Sequence, residues 1–492
     1  MTEAVEKLTK KSEDPSKWYL QLVRMAKLAD YGPVRGTFAI RPYGFAIWER
    51  IQRDLDDRFK ATGHSNAYFP LLIPESYLKK EAEIVEAFDP ELAWVTIGGR
   101  EELEERLAIR PTSESIICEF YSNWVQSYRD LPILVNQWCN VMRWEKVTRP
   151  FLRTAEFLWQ EGHTVHATAE ESREEALKMQ GVYRDCFYEA LAIPVLAGVK
   201  SPSERFPGAL ETFTCEGLMG DGRALQAATS HDLGQNFSRA FDITFLDEQQ
   251  DRQYAHQTSW GFSTRVIGGM ILVHGDDRGL KIPPRLAPTE AVIVPIWRGN
   301  NKGEVRREAE ELFEELKTAG FRMEIDLDEE HSPGYKFNEH EMRGVPVRIE
   351  LGGRDIENEQ VVLVRRDVPG KEGKEFVPRK ELSVRLRALL VEIQEDMLRS
   401  ATEFREANTR RAENYGEFKE IIEKERGFVL APWDGTEETE QQIKDETKAT
   451  IRCIPSGSGA TTTRPAGEKY RVTSSCGAPP LKCTSARMND SS

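Results

Sequence analysis

Two short patterns in the middle of the chain hold residue types that can grip anions. Arg143-Trp144-Glu145 is followed, after a seven-residue gap, by Arg153, Phe157 and Glu161, the last three spaced by four. Further on, Gly261-Phe262-Ser263-Thr264-Arg265 leads into an apolar run. A guanidinium is planar, permanently charged, and presents a donor fork that matches phosphate or carboxylate. An Arg and a Glu two apart on a strand point to the same face, so Arg143 and Glu145 are expected to act side by side. Taken alone, Arg-x-Glu reads better as a cross-strand ion pair, and Arg265 as an arginine on the first turn of a helix.

These side chains need rigid elements to hold them. Segments 107–110, 133–144 and 156–166 alternate or run apolar as strands do, and 211–216 and 223–229 read the same way. Thr168 with Glu171 forms a capping box for a helix reaching about Leu191. Residues 263–274 fit a helix or a strand by period. Upstream, a helix is expected over Ser16–Asp30. A second is expected over Phe45–Thr62, with Trp48, Ile51, Leu55 and Phe59 on one face and Gly63 as its stop. Strands mixed with helices imply a mixed sheet rather than a doubly wound one. From Ala291 the order is strand, helix 303–319, strand, helix 334–343, two strands and a helix from Arg379 to Leu398. A charged helix over 400–426 and the strand GFVLAPW follow. The fold class is α/β (α+β), in units 1–287, 288–400 and 401–455. Residues 456–492 are rich in Ser, Thr, Gly and Pro and are expected to be a disordered or divergent tail.

Composition narrows the class. Among 492 residues, 39% are apolar and 30% charged, which suits a protein with large cores. No apolar run approaches the roughly 18 residues needed to span a bilayer, and the charged N-terminus MTEAVEKLTKK has no signal-peptide core. A cytoplasmic location without membrane attachment is expected. Seven scattered cysteines suggest reduced thiols rather than a disulfide framework. A net charge of −15 excludes a uniformly basic nucleic-acid coat, but not a local basic patch.

The extended pattern R-x-E, loop, R-x-x-x-F-x-x-x-E (motif 2, residues 141–161) resembles the ATP site of class II aminoacyl-tRNA synthetases. The Gly261–Arg265 segment resembles their motif 3 (259–275), and GHSNAYFPLLIP their motif 1 (63–74), with Pro70 at a dimer interface. The three occur in that family's order. Four local stretches look like the prolyl-tRNA synthetase versions: Arg110–Glu114, Trp159–His163, Gln226–Phe237 and Thr258–Gly261. The resemblance implies an antiparallel-sheet catalytic domain, an α/β anticodon-binding domain and a small α+β C-terminal domain. It implies a ligase that activates L-proline with ATP and Mg²⁺ and transfers it to the 3′ end of tRNA(Pro), working as a homodimer. Arg143 and Arg265 would be catalytic. Thr112, Glu114, Arg143, Trp159, Glu161, His163, His231 and Ser259 would bind proline, with Phe206 beside the ring. Arg143, Glu145, Arg153, Phe157, Gln226, Thr229 and Arg265 would bind ATP. Pro346, Arg348 and Glu350 would read anticodon bases.

The sequence departs from that family in two places. Many bacterial members carry an editing domain between motifs 2 and 3, and residues 162–225 are too few for one. Members of the archaeal/eukaryotic-like type, which this chain resembles, often hold a structural zinc. The first cysteine pair is replaced here by Asp434 and Thr439. Thr is a poor zinc ligand, so no structural zinc is expected. The tail TSARMNDSS lacks the family's apolar strand and terminal Tyr, which suggests a lost cap or a changed reading frame near residue 455. The rival readings are a threonine-specific enzyme, which lacks its Cys/His zinc set here, and a non-catalytic paralogue, which would have lost the motif arginines.

Overall fold

In the computed structural model, residues 7–82, 92–456 and 469–474 are described. Helix α1 (Pro15–Met25) is capped by Asp14 and buries Trp18, Tyr19 and Leu22. It ends five residues before the expected boundary at Asp30, because Ala29–Tyr31 pairs as a strand with Phe38–Ile40. Helix α2 (Pro42–Ala61) buries the face of Trp48, Ile51, Leu55 and Phe59 that the i, i+3, i+4 spacing marked out, and Ile47 with it.

The main sheet has eleven strands. Strand β1 (Ser65–Asn66) lies at one edge. Helix α3 (Glu114–Trp124) precedes β2 (Ile133–Met142), which forms a hairpin with β3 (Glu156–His166). Helix α4 (Ala169–Glu189) opens with the Thr168–Glu171 capping box and packs across the back of the sheet. Strands β4 (Val195–Val199), β5 (Glu211–Leu218), β6 (Ala224–Gly234) and β7 (His256–Ser263) follow. Period alone left 263–274 open; it is helix α5 (Arg265–His274), nearly all buried. The segment 162–225 is occupied by the end of β3, α4, β4, β5 and the start of β6, all parts of the main sheet and its backing.

The first hydrophobic core runs through to Ala287, and a second core opens at Ala291. There β8 (Ala291–Ile296) pairs in parallel with β9 (Met323–Ile325) and β10 (Val347–Gly352). Antiparallel β11 (Gln360–Arg365) and β12 (Lys374–Pro378) complete this sheet. Helices α6 (Lys302–Thr318), α7 (Pro333–Arg343) and α8 (Leu382–Ala407) accompany it. Helix α8 is continuous through residue 400. The expected domain break therefore falls inside a helix, and the charged helix expected over 400–426 is instead the end of α8, strand β13 (Thr409–Arg411) and helix α9 (Tyr415–Lys424).

Strand β14 (Phe428–Trp433), helix α10 (Glu437–Thr447) and β15 (Thr450–Pro455) follow, and then β16 (Lys469–Ser474). Disorder was expected beyond 456, yet β16 pairs with both β14 and β15, because backbone pairing does not require an apolar composition. The order across the main sheet is β13-β14-β16-β15-β4-β5-β6-β7-β3-β2-β1, so the C-terminal strands continue the sheet formed by β1–β7.

Candidate active site

Alternation along antiparallel strands decides which side chains meet. On β3, Phe157, Trp159, Glu161 and His163 share one face. His163 lies between Val135 of β2 and Ser259 of β7. Ser259 faces His231 of β6, and His231 faces Thr212 of β5. In the next row Glu161 sits between Gln137 and Gly261, and Thr229 and Thr214 continue it. Gln226 and Thr229 are three apart and would normally face opposite ways. A bulge that skips Ala227 sets Gln226 opposite Glu216 and Thr229 opposite Thr214, so both reach the same face.

Glu161 is buried with every oxygen occupied. Ser113 donates to Oε1, as do Gln137 Nε2 (2.7 Å) and the Cys139 thiol (3.4 Å), while His163 Nε2 lies 3.2 Å from Oε2. Burial opposes its charge, but these donors win and hold its pKa below the ordinary value. Burial also opposes the charge on His163, yet the Glu161 hydrogen bond and nearby Glu114 raise its pKa. His231 is the opposite case. Burial, aided by His163, pushes it down to about 3. Its Nδ1 shares a hydrogen bond with Thr212 (3.0 Å), and Phe206 stacks on its ring at 4.4 Å. Thr112 donates to Glu114, and both are buried at the head of α3. Ser259 is buried, with no hydrogen-bond partner for its hydroxyl.

The arginines line a neighbouring cleft. Arg143, Glu145, Arg153, Phe157, Ser263 and Arg265 surround it, with Phe151, Leu152 and Thr154. Strand β2 ends at Met142, so Arg143 and Glu145 sit on the loop rather than sharing a strand face. Arg143 is held by its Nε donating to Pro111 O (3.0 Å), and its guanidinium lies 5.5 Å from the Phe157 ring and 5.6 Å from Trp159. Glu145 is paired with Arg153 at 2.6 Å. Arg265 opens α5 and donates to Leu152 O (3.1 Å). Burial and then the repulsion of Arg143 lower its pKa to about 10. Two cations held this close fit a polyanion such as a triphosphate, and the Phe157 face fits a planar base.

Ser113, Gln137 and Cys139 were not singled out from the sequence. Ser113 lay inside the quoted Arg110–Glu114 stretch, and the other two alternate along β2 toward Glu161; that polar alternation was the available signal. In the second sheet, Arg348 and Glu350 share a face of β10 and bind each other (2.9 Å). Glu341 and Lys374 also pair with them (3.1 and 2.9 Å), and both are buried rather than solvated. Pro346 precedes that strand, its carbonyl accepting from Arg366 N.

Comparison with known proteins matches residues 94–274 to the class II tRNA synthetase core domain (G, H, P, S and T), and residues 290–389 to an anticodon binding domain. Residues 415–484 match the prolyl-tRNA synthetase C-terminal domain. A proline–tRNA ligase of Rubrobacter xylanophilus is 79% identical over 92% of this chain and 95% of its own length. Those of Natranaerobius thermophilus and Roseiflexus sp. are each 57% identical over 92% of this chain, and over 93% and 94% of their own lengths. The chain belongs to the proline–tRNA ligase family. The match to that C-terminal domain runs through residue 484, into the segment expected to be a disordered or divergent tail. At the two positions read as replaced zinc cysteines, Thr439 Oγ1 donates to Asp434 (2.6 Å), closing the turn before α10. Among the described residues no group of three His, Cys, Asp or Glu side chains could hold a metal, and no helix is long and apolar enough to cross a membrane.

Proposed function

We propose that the sheet face bearing Thr112, Glu114, Trp159, Glu161, His163, His231 and Ser259 holds L-proline beside MgATP, with Arg143 between the two. The observation that carries this is the convergence of a polar, half-charged pocket and an arginine-lined cleft on one face, with Arg143 tied to Pro111 and set over Trp159 and Phe157. The proline carboxylate attacks the α-phosphorus, and pyrophosphate leaves with its electron pair. Arg143 bridges carboxylate and α-phosphate, and Arg265 grips the outer phosphates from the opposite side. Thr112 and Glu114 accept from the secondary ammonium of proline. Glu145 receives the adenine amino group and Phe157 stacks on the ring. Arg153 exchanges Glu145 for phosphate, and Gln226 and Thr229 hold the ribose end. Mg²⁺ bound with the nucleotide would supply neutralisation of phosphate charge beside Arg143 and Arg265.

In the second step the terminal adenosine hydroxyl of tRNA(Pro) attacks the acyl carbon and releases AMP. Positioning and charge stabilisation carry the chemistry, with no protein nucleophile. Pro346, Arg348 and Glu350 read anticodon bases, and Glu341 and Lys374 preset the donor and acceptor edges they offer. The reading includes a cytoplasmic homodimer that meets near Tyr68 and Pro70, both exposed on the motif 1 segment. It also takes 1–287, 288–400 and 401–455 as the catalytic, anticodon and C-terminal units. ATP–pyrophosphate exchange across a panel of amino acids tests it: proline should drive exchange at least tenfold above any other. Exchange driven best by threonine, or absent altogether, overturns it.

A further inference from the structure

A buried cluster of three charged groups joins the C-terminal domain to the floor of the site. Glu216 of β5 is fully buried. Lys200, just past β4, donates its Nζ to Oε1 at 2.6 Å, and Arg452 of β15 forks onto Oε2 at 3.0 and 2.8 Å. Thr214 donates to Oε1 (2.8 Å), and Lys200 also donates to the Arg452 carbonyl (2.9 Å). Strand β15 reaches this position by pairing Ile454 with Val199 and Pro455 with Gly198. A Cβ at Gly198 would lie 2.4 Å from Ile454 O, so the approach needs glycine there. Ser201 and Ser203 add hydrogen bonds to Glu440 of α10 (2.8 and 2.5 Å).

The cluster sits at the bulge. Glu216 is the residue directly opposite Gln226, and the register shift falls between Cys215 and Glu216. A slip by one residue would turn Gln226 to the other face. Buried ion pairs add little net stability but strongly disfavour arrangements that leave one charge alone. The extra residue, Ala227, lies on β6, so Glu216, held in register with Leu196 of β4 and by its two cations, is the fixed partner against which Gln226 is set.

We propose that Arg452 is a positioning residue for adenylation: through Glu216 it pins the bulge that presents Gln226 and Thr229, making the C-terminal domain part of the nucleotide site. This rests on the reading of Gln226 and Thr229 as nucleotide ligands. Gln226→Ala tests that reading by itself, since an unchanged KM for ATP defeats it whatever Arg452 does.

The inference is tested in the full-length enzyme by pyrophosphate exchange. Arg452→Lys keeps the charge and loses the fork. Its KM for ATP is expected to rise about tenfold while the KM for proline stays within about twofold. A Lys200→Met/Glu216→Leu/Arg452→Met variant removes all three charges together, which restores folding stability where a single loss would not. It should melt near the wild-type temperature and still show the raised KM for ATP. An unchanged KM for ATP in Arg452→Lys, an equal rise for proline and ATP, or a normal KM for ATP in the triple variant would each overturn the proposal.

Discussion

His163 and His231 flank Ser259 on one sheet face and titrate in opposite directions. His163 is raised above 6.5 by Glu161, despite burial, so the stability its charge contributes is complete below pH 6.5 and fades as the pH climbs through the folded value. Replacing Glu161 with Gln leaves only the more distant pull of Glu114 to oppose burial. NMR titration of the ring protons should then show His163 moving from above 6.5 to below it, while His231 stays neutral down to about pH 3. A wild-type His163 that titrates below 6.5 contradicts the pairing. The arginines belong to the same scale. Arg143→Ala and Arg265→Ala should each slow pyrophosphate exchange by about 10²–10³-fold with little loss of melting temperature, because each removes one donor aimed at developing charge. A loss under tenfold for either would remove it from the catalytic pair.

Elements place these residues, and not all of that placement could be read from the chain. The face of α2 and the capping box of α4 follow from spacing alone, since side chains three and four apart on a helix share a side. The alternation along β3 likewise put Phe157, Trp159, Glu161 and His163 together. Three features were not legible. Strand β2 stops at Met142, which only its partner's length and the turn at Phe151 (φ +60°) determine. The bulge at Ala227 depends on register against β5. The pairing of Arg452 with Glu216 spans 236 residues of chain, and nothing local records it. Gly162 is a testable case of element-level fit. A Cβ there would lie 2.0 Å from the Trp260 indole, which packs on Phe59 and Tyr183 behind the site. Gly162→Ala should cost about 1–3 kcal/mol in denaturant unfolding, the range for overpacking a filled core. A neutral result would mean the strand shifts freely.

At the scale of the whole molecule, the proposed reading has specificity rest on one pocket. Every described element between β3 and β6 belongs to the main sheet or its backing. Losing the extra methylenes of proline costs a competitor only about 1–3 kcal/mol of binding. Alanine should therefore drive pyrophosphate exchange with a kcat/KM about 10–200-fold below proline, and its failure to drive any exchange would mean the pocket discriminates by another route. Elemental analysis of enzyme purified without chelator should find less than about 0.2 zinc per chain, since Asp434 and Thr439 offer oxygen rather than thiolate. Stoichiometric zinc would point to ligands beyond these two.

Strand β16 comes last among the described strands, yet in space it is the seam between β14 and β15. A ribosome delivers the chain from its N-terminus, and domains fold as they emerge. The catalytic and anticodon units can therefore form while the seam is still inside the exit tunnel. Until it arrives, β15 has no backbone link to β13 and β14. A machine that supplies prolines to growing chains would thus be closed only when the last of its described strands is made.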